Sequence, residues 1–159
     1  WSSDVCSSDL YLSEGLAICD YLEALYPEPP LFGRTPQERA QVIMWFQRIE
    51  FEGFHAVAEV LRNSSRAFKD SSLTGPDRYP QLPELVERGR HRVAQFYASM
   101  NERLSQSDYV AGPFYSFADI SLLCIVDFGT GWGRMPIPPE LAALLDWHGR
   151  MSARPSAKA

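Results

Sequence analysis

From Gln37 to Arg62 the chain runs without a proline, and its apolar residues return at helical spacing. Val42, Trp45, Ile49, Ala56 and Val60 form one stripe, with Gly53 as a small residue within it. Spacings of three and four put these side chains on one face of a helix. Thr35 and Pro36 suit the N-cap and the first helical position. One long helix is therefore expected over about 37–62, and its apolar face has to be covered by other elements.

The remaining segments supply such elements. Ile18, Leu22 and Leu25 share a face of a short helix over about 14–25. Leu85, Gly89, Val93, Phe96, Met100 and Leu104 share a face of a helix over about 83–105. Two further helices are expected over about 116–128 and 139–151. Between them stand breakers. "YPEPPLFGRTP" holds four prolines and a glycine and reads as a linker, because proline removes a donor and restricts the residue before it. Residues 63–83 form a Ser-, Gly- and Pro-rich loop, and "GTGWGRMPIPP" ends the fourth helix. No segment shows a period of two, and no repeat of solenoid length is visible. The chain reads as mostly helical, with at least four amphipathic helices packed together.

Composition narrows the function classes. The 159 residues are 45% hydrophobic and 13% aromatic, enough for a core of one domain, or of one domain with a remnant of another. The net charge is -5, with Arg and Lys interleaved among Asp and Glu, so no basic stripe for nucleic acid exists. No apolar run approaches the roughly 18 residues of a membrane-spanning helix, and no signal peptide is expected. Cys19 and Cys124 stand alone in apolar-periodic segments, without Cys-x-x-Cys or Cys/His spacing, so they read as small core residues and no metal is expected. Asn63-Ser64-Ser65 matches a glycosylation sequon, which carries little weight without a secretory signal. His55, His91 and His148 have no carboxylate at a useful spacing. "GTGWG" follows no strand, so it reads as a helix end and turn, not as a dinucleotide loop.

"FYSFADI" carries the strongest local signal. Ser116 is an N-cap and Asp119 stands three residues later, the capping-box arrangement, with Tyr115 and Ile120 placed as a hydrophobic staple. Its physics is helix initiation, so both residues are expected to be structural. "YVAGPFYSFADISL" nevertheless resembles the cap of the sixth helix of cytosolic glutathione transferases. "LSEGLAICDYLEALYPEPPLFGRTPQERAQVIMWF" resembles the junction between that family's two domains, through Glu14-Gly15, Ala17-Ile18, Tyr21-Leu22, the prolines 27–30 and Arg39-Ala40. "WHGRMSARPS" is similar to the family's last common helix. The resemblance covers residues 11–156.

The resemblance implies an all-α glutathione transferase C-terminal bundle of about five helices over 37–159. It would follow a linker at 27–36 and, at 11–26, the last helix of a thioredoxin-like domain. The opening "WSSDVCSSDL", residues 1–10, is expected to be a translated sequencing adapter joined to a truncated gene, with a natural Ser-rich tail as the alternative. The implied activity is attack of the glutathione thiolate on a small electrophile. The residue that activates the sulfur belongs to the missing domain, so this chain holds no catalytic residue and by itself should be inactive.

Part of a glutathione site remains. The family's Glu-Ser pair, which holds the γ-glutamyl end, corresponds to Glu14 and Gly15. A helix N-terminus offers free N–H groups and a positive dipole end to a carboxylate. Gly15 lacks the family's hydroxyl but keeps the N–H, and Glu14 can alternatively serve its own helix dipole. The second substrate is expected against Trp45, Ile49, Glu52, Phe128 and Trp132, although an aromatic stripe at helical spacing is more often core. Glutathione is implied as co-substrate, with no cofactor or metal. The parent would be a cytoplasmic homodimer without nucleic-acid or membrane partners. The competing readings are a non-catalytic docking or regulatory module on the same helical fold, and an unrelated helix bundle.

Overall fold

The structure, a computed structural model, describes residues 5–7 and 10–158, and side chains from Tyr11 onward. The adapter reading of residues 1–10 falls mostly outside the described residues. Within it, strand β1 (Val5–Ser7) pairs antiparallel with β2 (Leu10–Leu12), Cys6 opposite Tyr11. Tyr11 and Leu12 are thus strand, not the beginning of the helix expected at 11–26. Helix α1 begins at Gly15 and ends at Leu25. Glu14, at φ 69°, lies outside helical geometry and sets that boundary.

The linker is stitched to both neighbours. The Glu23 carboxylate accepts the N–H groups of Leu31 and Phe32, each at 2.8 Å. Phe32 is fully buried and stacks on Phe117 at 4.9 Å, and Phe117 stacks on Phe46 at 5.1 Å. Arg39 pairs with Asp20 of α1 and lies over the Phe32 ring. Gly33, at φ 89°, passes so close to α2 that a Cβ there would stand 2.5 Å from the Glu38 Cβ.

Helix α2 (Pro36–Arg48) starts in a full capping box between Thr35 and Glu38. The long helix expected over 37–62 is helical throughout, but Ile49–Phe54 is a π-helical stretch, and α3 (His55–Ser64) continues from it. Gly53 lies in that wide turn, where a Cβ would stand 2.7 Å from the Phe96 ring. Helix α4 (Pro83–Ser105) crosses here, and at Gly89 a Cβ would meet Val60 Cγ2 at 2.7 Å. Gly53 therefore makes room for the Phe96 ring, and Gly89 lets the α3 and α4 backbones approach closely. Helix α5 (Phe117–Gly131) runs through the middle of the bundle, with Ala118, Leu122 and Val126 fully buried. The Tyr97 hydroxyl donates to the Met135 carbonyl at 3.1 Å, and burial pushes its pKa up to about 12. Helix α6 (Ala142–Ser152) buries Leu144 and Trp147. Helices α2 to α6 make the all-α bundle, with α1 docked on one side.

Two expectations from sequence change here, at Cys124 and His148, and the discounted sequon at Asn63 proves to be part of the packing. Cys124 is exposed, because α5 is apolar around most of its circumference and periodicity could not orient it. Asn63 is buried, its side chain donating to the Glu59 carbonyl at 2.8 Å and accepting from Leu82 N at 3.0 Å, so the sequon asparagine belongs to the packing of the 65–82 loop. His148 does have a carboxylate, Asp127 at 2.7 Å, from one helix to the next.

Candidate functional site

The start of α1 is open. Glu14 occupies the N-cap position with φ 69° and ψ 119°, and its side chain makes no capping hydrogen bond. Its carbonyl accepts from Ile18 N at 3.0 Å, which begins the helical ladder. The N–H groups of the first turn precede that ladder and have no partner within the helix. No acidic residue lies in that turn, so the positive end of the dipole is not balanced from within. Gly15 is exposed, and a Cβ placed there would meet nothing within 4 Å. A strained, exposed backbone beside donors that have no acceptor among the described residues is the local geometry that a bound anion would complete.

The start of α5 is closed. Asp119 is fully buried, and its carboxylate accepts four hydrogen bonds. Val110 N and Trp147 Nε1 donate to one oxygen, at 3.0 and 3.1 Å. The Ser116 N–H and hydroxyl donate to the other, both at 3.0 Å. Burial pushes the Asp119 pKa up, and these bonds hold it back in part. The carboxylate joins the 109–116 connection, α5 and α6, and no surface is left on it for a ligand.

Aromatic side chains gather where the π stretch meets α5. Phe54 stacks on Phe128 at 5.9 Å, and His55 packs between Phe51 and Phe54 at 5.5 and 5.9 Å. Glu50 is half-buried on the same stretch, and burial raises its pKa against the pull of His55. Among the described residues no three His, Cys, Asp or Glu side chains converge to hold a metal ion, and no helix is long and apolar enough to cross a membrane.

The family model for the C-terminal domain of glutathione S-transferases matches residues 56–155, more than half of the chain. The chain belongs to the glutathione S-transferase family. It is 30% identical over 148 residues to glutathione S-transferase 2 of Saccharomyces cerevisiae, covering 92% of this chain and 60% of the yeast protein. The crystal structure of Gtt2 from Saccharomyces cerevisiae superposes with a TM-score of 0.86 at 28% identity, over 98% of this chain and 72% of that one. A third relative, FtsZ-localized protein A of Caulobacter vibrioides, is 26% identical over 156 residues, covering 92% of this chain and 62% of its own length. The chain thus spans about three fifths of the two curated relatives.

Within this glutathione S-transferase fold the five residues expected at a second-substrate pocket do not meet. Ile49 is wholly in the core and has no surface to offer, which corrects its placement in a pocket wall. Trp45 is half-buried between the guanidinium groups of Arg48 and Arg103, at 4.8 and 5.2 Å from its ring. Glu52 pairs with Arg48 at 3.3 Å. Phe128 faces Phe54, and Trp132 is 74% exposed at the end of α5. An apolar groove of about 420 Å³ lies between α1, the linker and α5, with Leu22, Tyr26, Phe117 and Ile120 in its walls, and none of the five reaches it. Spacing alone overlooked Phe54 and Glu50. The π stretch turns them toward α5, and an unbroken α-helix would place them elsewhere.

Proposed function

We propose that this chain is the helical part of a glutathione transferase, with residues 37–159 as its helical domain and α1 carrying one end of the glutathione site. The open start of α1 carries the reading. The γ-glutamyl carboxylate takes the N–H groups at Gly15 and Leu16, and Glu14 meets the ammonium group. The residue that lowers the pKa of the glutathione sulfur lies outside these 159 residues, so the chain alone conjugates little or no glutathione. The glutathione thiolate attacks the electrophilic carbon and displaces its leaving group, which departs with the bonding electron pair, and the small electrophile rests against Phe54 and Phe128, with Trp132 one turn further along α5. The whole protein is read as a cytoplasmic homodimer with no cofactor.

The test is titration of glutathione into the isotopically labelled chain, followed by NMR. The Gly15 and Leu16 amides should shift in one saturable curve, and Glu14→Gln should weaken binding about ten-fold, the size of one charge-assisted hydrogen bond. Shifts elsewhere with α1 untouched would overturn the reading. A docking or regulatory module on the same fold is the second reading. It is supported by the relative named for its localization with FtsZ and by Gly15 in place of serine. It predicts no glutathione binding even when the upstream domain is restored.

A further inference from the structure

The π stretch Ile49–Phe54 displaces one backbone hydrogen bond that an α-helix would make. In α-helical pairing the His55 N–H would donate to the Phe51 carbonyl, four residues back. Here it donates to the Glu50 carbonyl, five residues back. The Phe51 carbonyl thereby loses its α-helical donor, and Arg92 of α4 supplies another. Its Nη2–H donates to that oxygen at 2.8 Å.

The guanidinium is held in place by its own neighbours. Glu59 of α3 stands 3.6 Å from Arg92 Nη1 and also pairs with Arg88, one turn earlier on α4. Phe96, one turn later, sets its ring at Gly53, where a Cβ would be 2.7 Å away. Arg92 and Phe96 share one face of α4 and meet the π stretch at Phe51 and Gly53. The Arg92 side chain is 36% exposed, so replacing it opens no cavity in the core. The same stretch carries Phe54, which stacks on Phe128 of α5 at 5.9 Å. Each helical residue advances about 100° around the axis, so moving the wide turn by one residue carries Phe54 off Phe128.

We infer that Arg92 is a positioning residue: by holding the Phe51 carbonyl it keeps Ile49–Phe54 in π pairing, and so keeps Phe54 on Phe128. It acts through the backbone of the stretch, from α4. That this aromatic pair receives the electrophile rests on the transferase reading proposed above; the backbone lock does not.

The test is NMR of the full chain, deuterated and labelled with 15N and 13C, reading couplings across hydrogen bonds. In the unaltered chain the His55 N–H should couple to the Glu50 carbonyl carbon, and the Phe54 and Phe128 rings should share an NOE. Arg92→Met keeps the stem and loses the donors. It should move the coupling to the Phe51 carbonyl and lose the NOE. Arg92→Lys, which keeps a donor, should retain both signals. Both signals unchanged in Arg92→Met overturn the inference, and so does their loss in Arg92→Lys. An NOE that survives after the coupling has moved overturns it too, because the lock would then not position the wall. If Arg92→Met does not fold, Arg92→Gln, whose amide is too short to reach the carbonyl, is read in the same way. No ligand enters this measurement, so its failure is distinct from a failure of glutathione to bind at Gly15.

Discussion

Helices α1 and α5 begin in opposite ways. At α5 the Phe117 and Asp119 N–H groups donate to the Leu31 and Ser116 carbonyls, and one buried carboxylate ties the cap to Val110 and Trp147. At α1 the cap position is held by a glutamate in strained geometry whose side chain caps nothing, in open solvent. A helix start that serves the fold satisfies its N–H groups from within, because a buried unpaired donor is costly. A helix start available to a ligand leaves them unmet, and water satisfies them until the ligand arrives. Helix α6 is an intermediate case. It has no side-chain cap of its own, and Asn101 of α4 accepts from Ala143 N and Leu144 N at 3.0 and 3.1 Å.

The contrast can be broken most forcefully at Asp119. Asp119→Ala strands a buried indole N–H and a buried backbone N–H, and should cost on the order of 4 kcal/mol in urea unfolding. A loss below about 1 kcal/mol, the size of an ordinary exposed cap, would mean that Asp119 is no more than a local cap. Asn101→Ala tests the borrowed cap. It should cost about 1–2 kcal/mol, with hydrogen exchange rising first at Ala143 and Leu144. Glu14→Gly should have the opposite sign, because glycine adopts positive φ without strain, and the chain should gain roughly 1 kcal/mol. If Glu14→Gly destabilises instead, the α1 start is a structural element like that of α5.

The finest test is pH. Burial raises the Asp119 pKa in the folded chain above its unfolded value. The folded state then binds more protons than the unfolded state within that window. Stability contributed by this group is full below the ordinary Asp range and falls as pH rises through the folded value. Asp119→Asn should lack that slope in denaturation midpoints measured from acid to neutral pH. A slope of the other sign would mean that the four hydrogen bonds outweigh desolvation.

Legibility from sequence followed the same division. Helix starts written in local chemistry were readable, as at Thr35-Pro36, Pro83 and Ser116, because caps and first-turn prolines act within a few residues. The start of α6 was not, since its acceptor, Asn101, lies 42 residues away from Ala143. Of the candidate site, Glu14 and Gly15 stood out in the motif, but the strain at Glu14 did not, since a dihedral angle has no letter. The second-substrate residues were the least legible. Ile49, Phe54 and Phe128 share one apolar vocabulary, and only packing separates a core position from a wall.

The amino-acid order by itself determined that this chain is helical, where most helices begin, and which family it belongs to. Those properties depend on short-range spacing, capping and motif order. Tertiary structure decided the π stretch at Ile49–Phe54, the exposure of Cys124 and the His148–Asp127 contact. Each depends on what another helix or loop brings within a few ångströms, and that proximity comes from packing the apolar faces together.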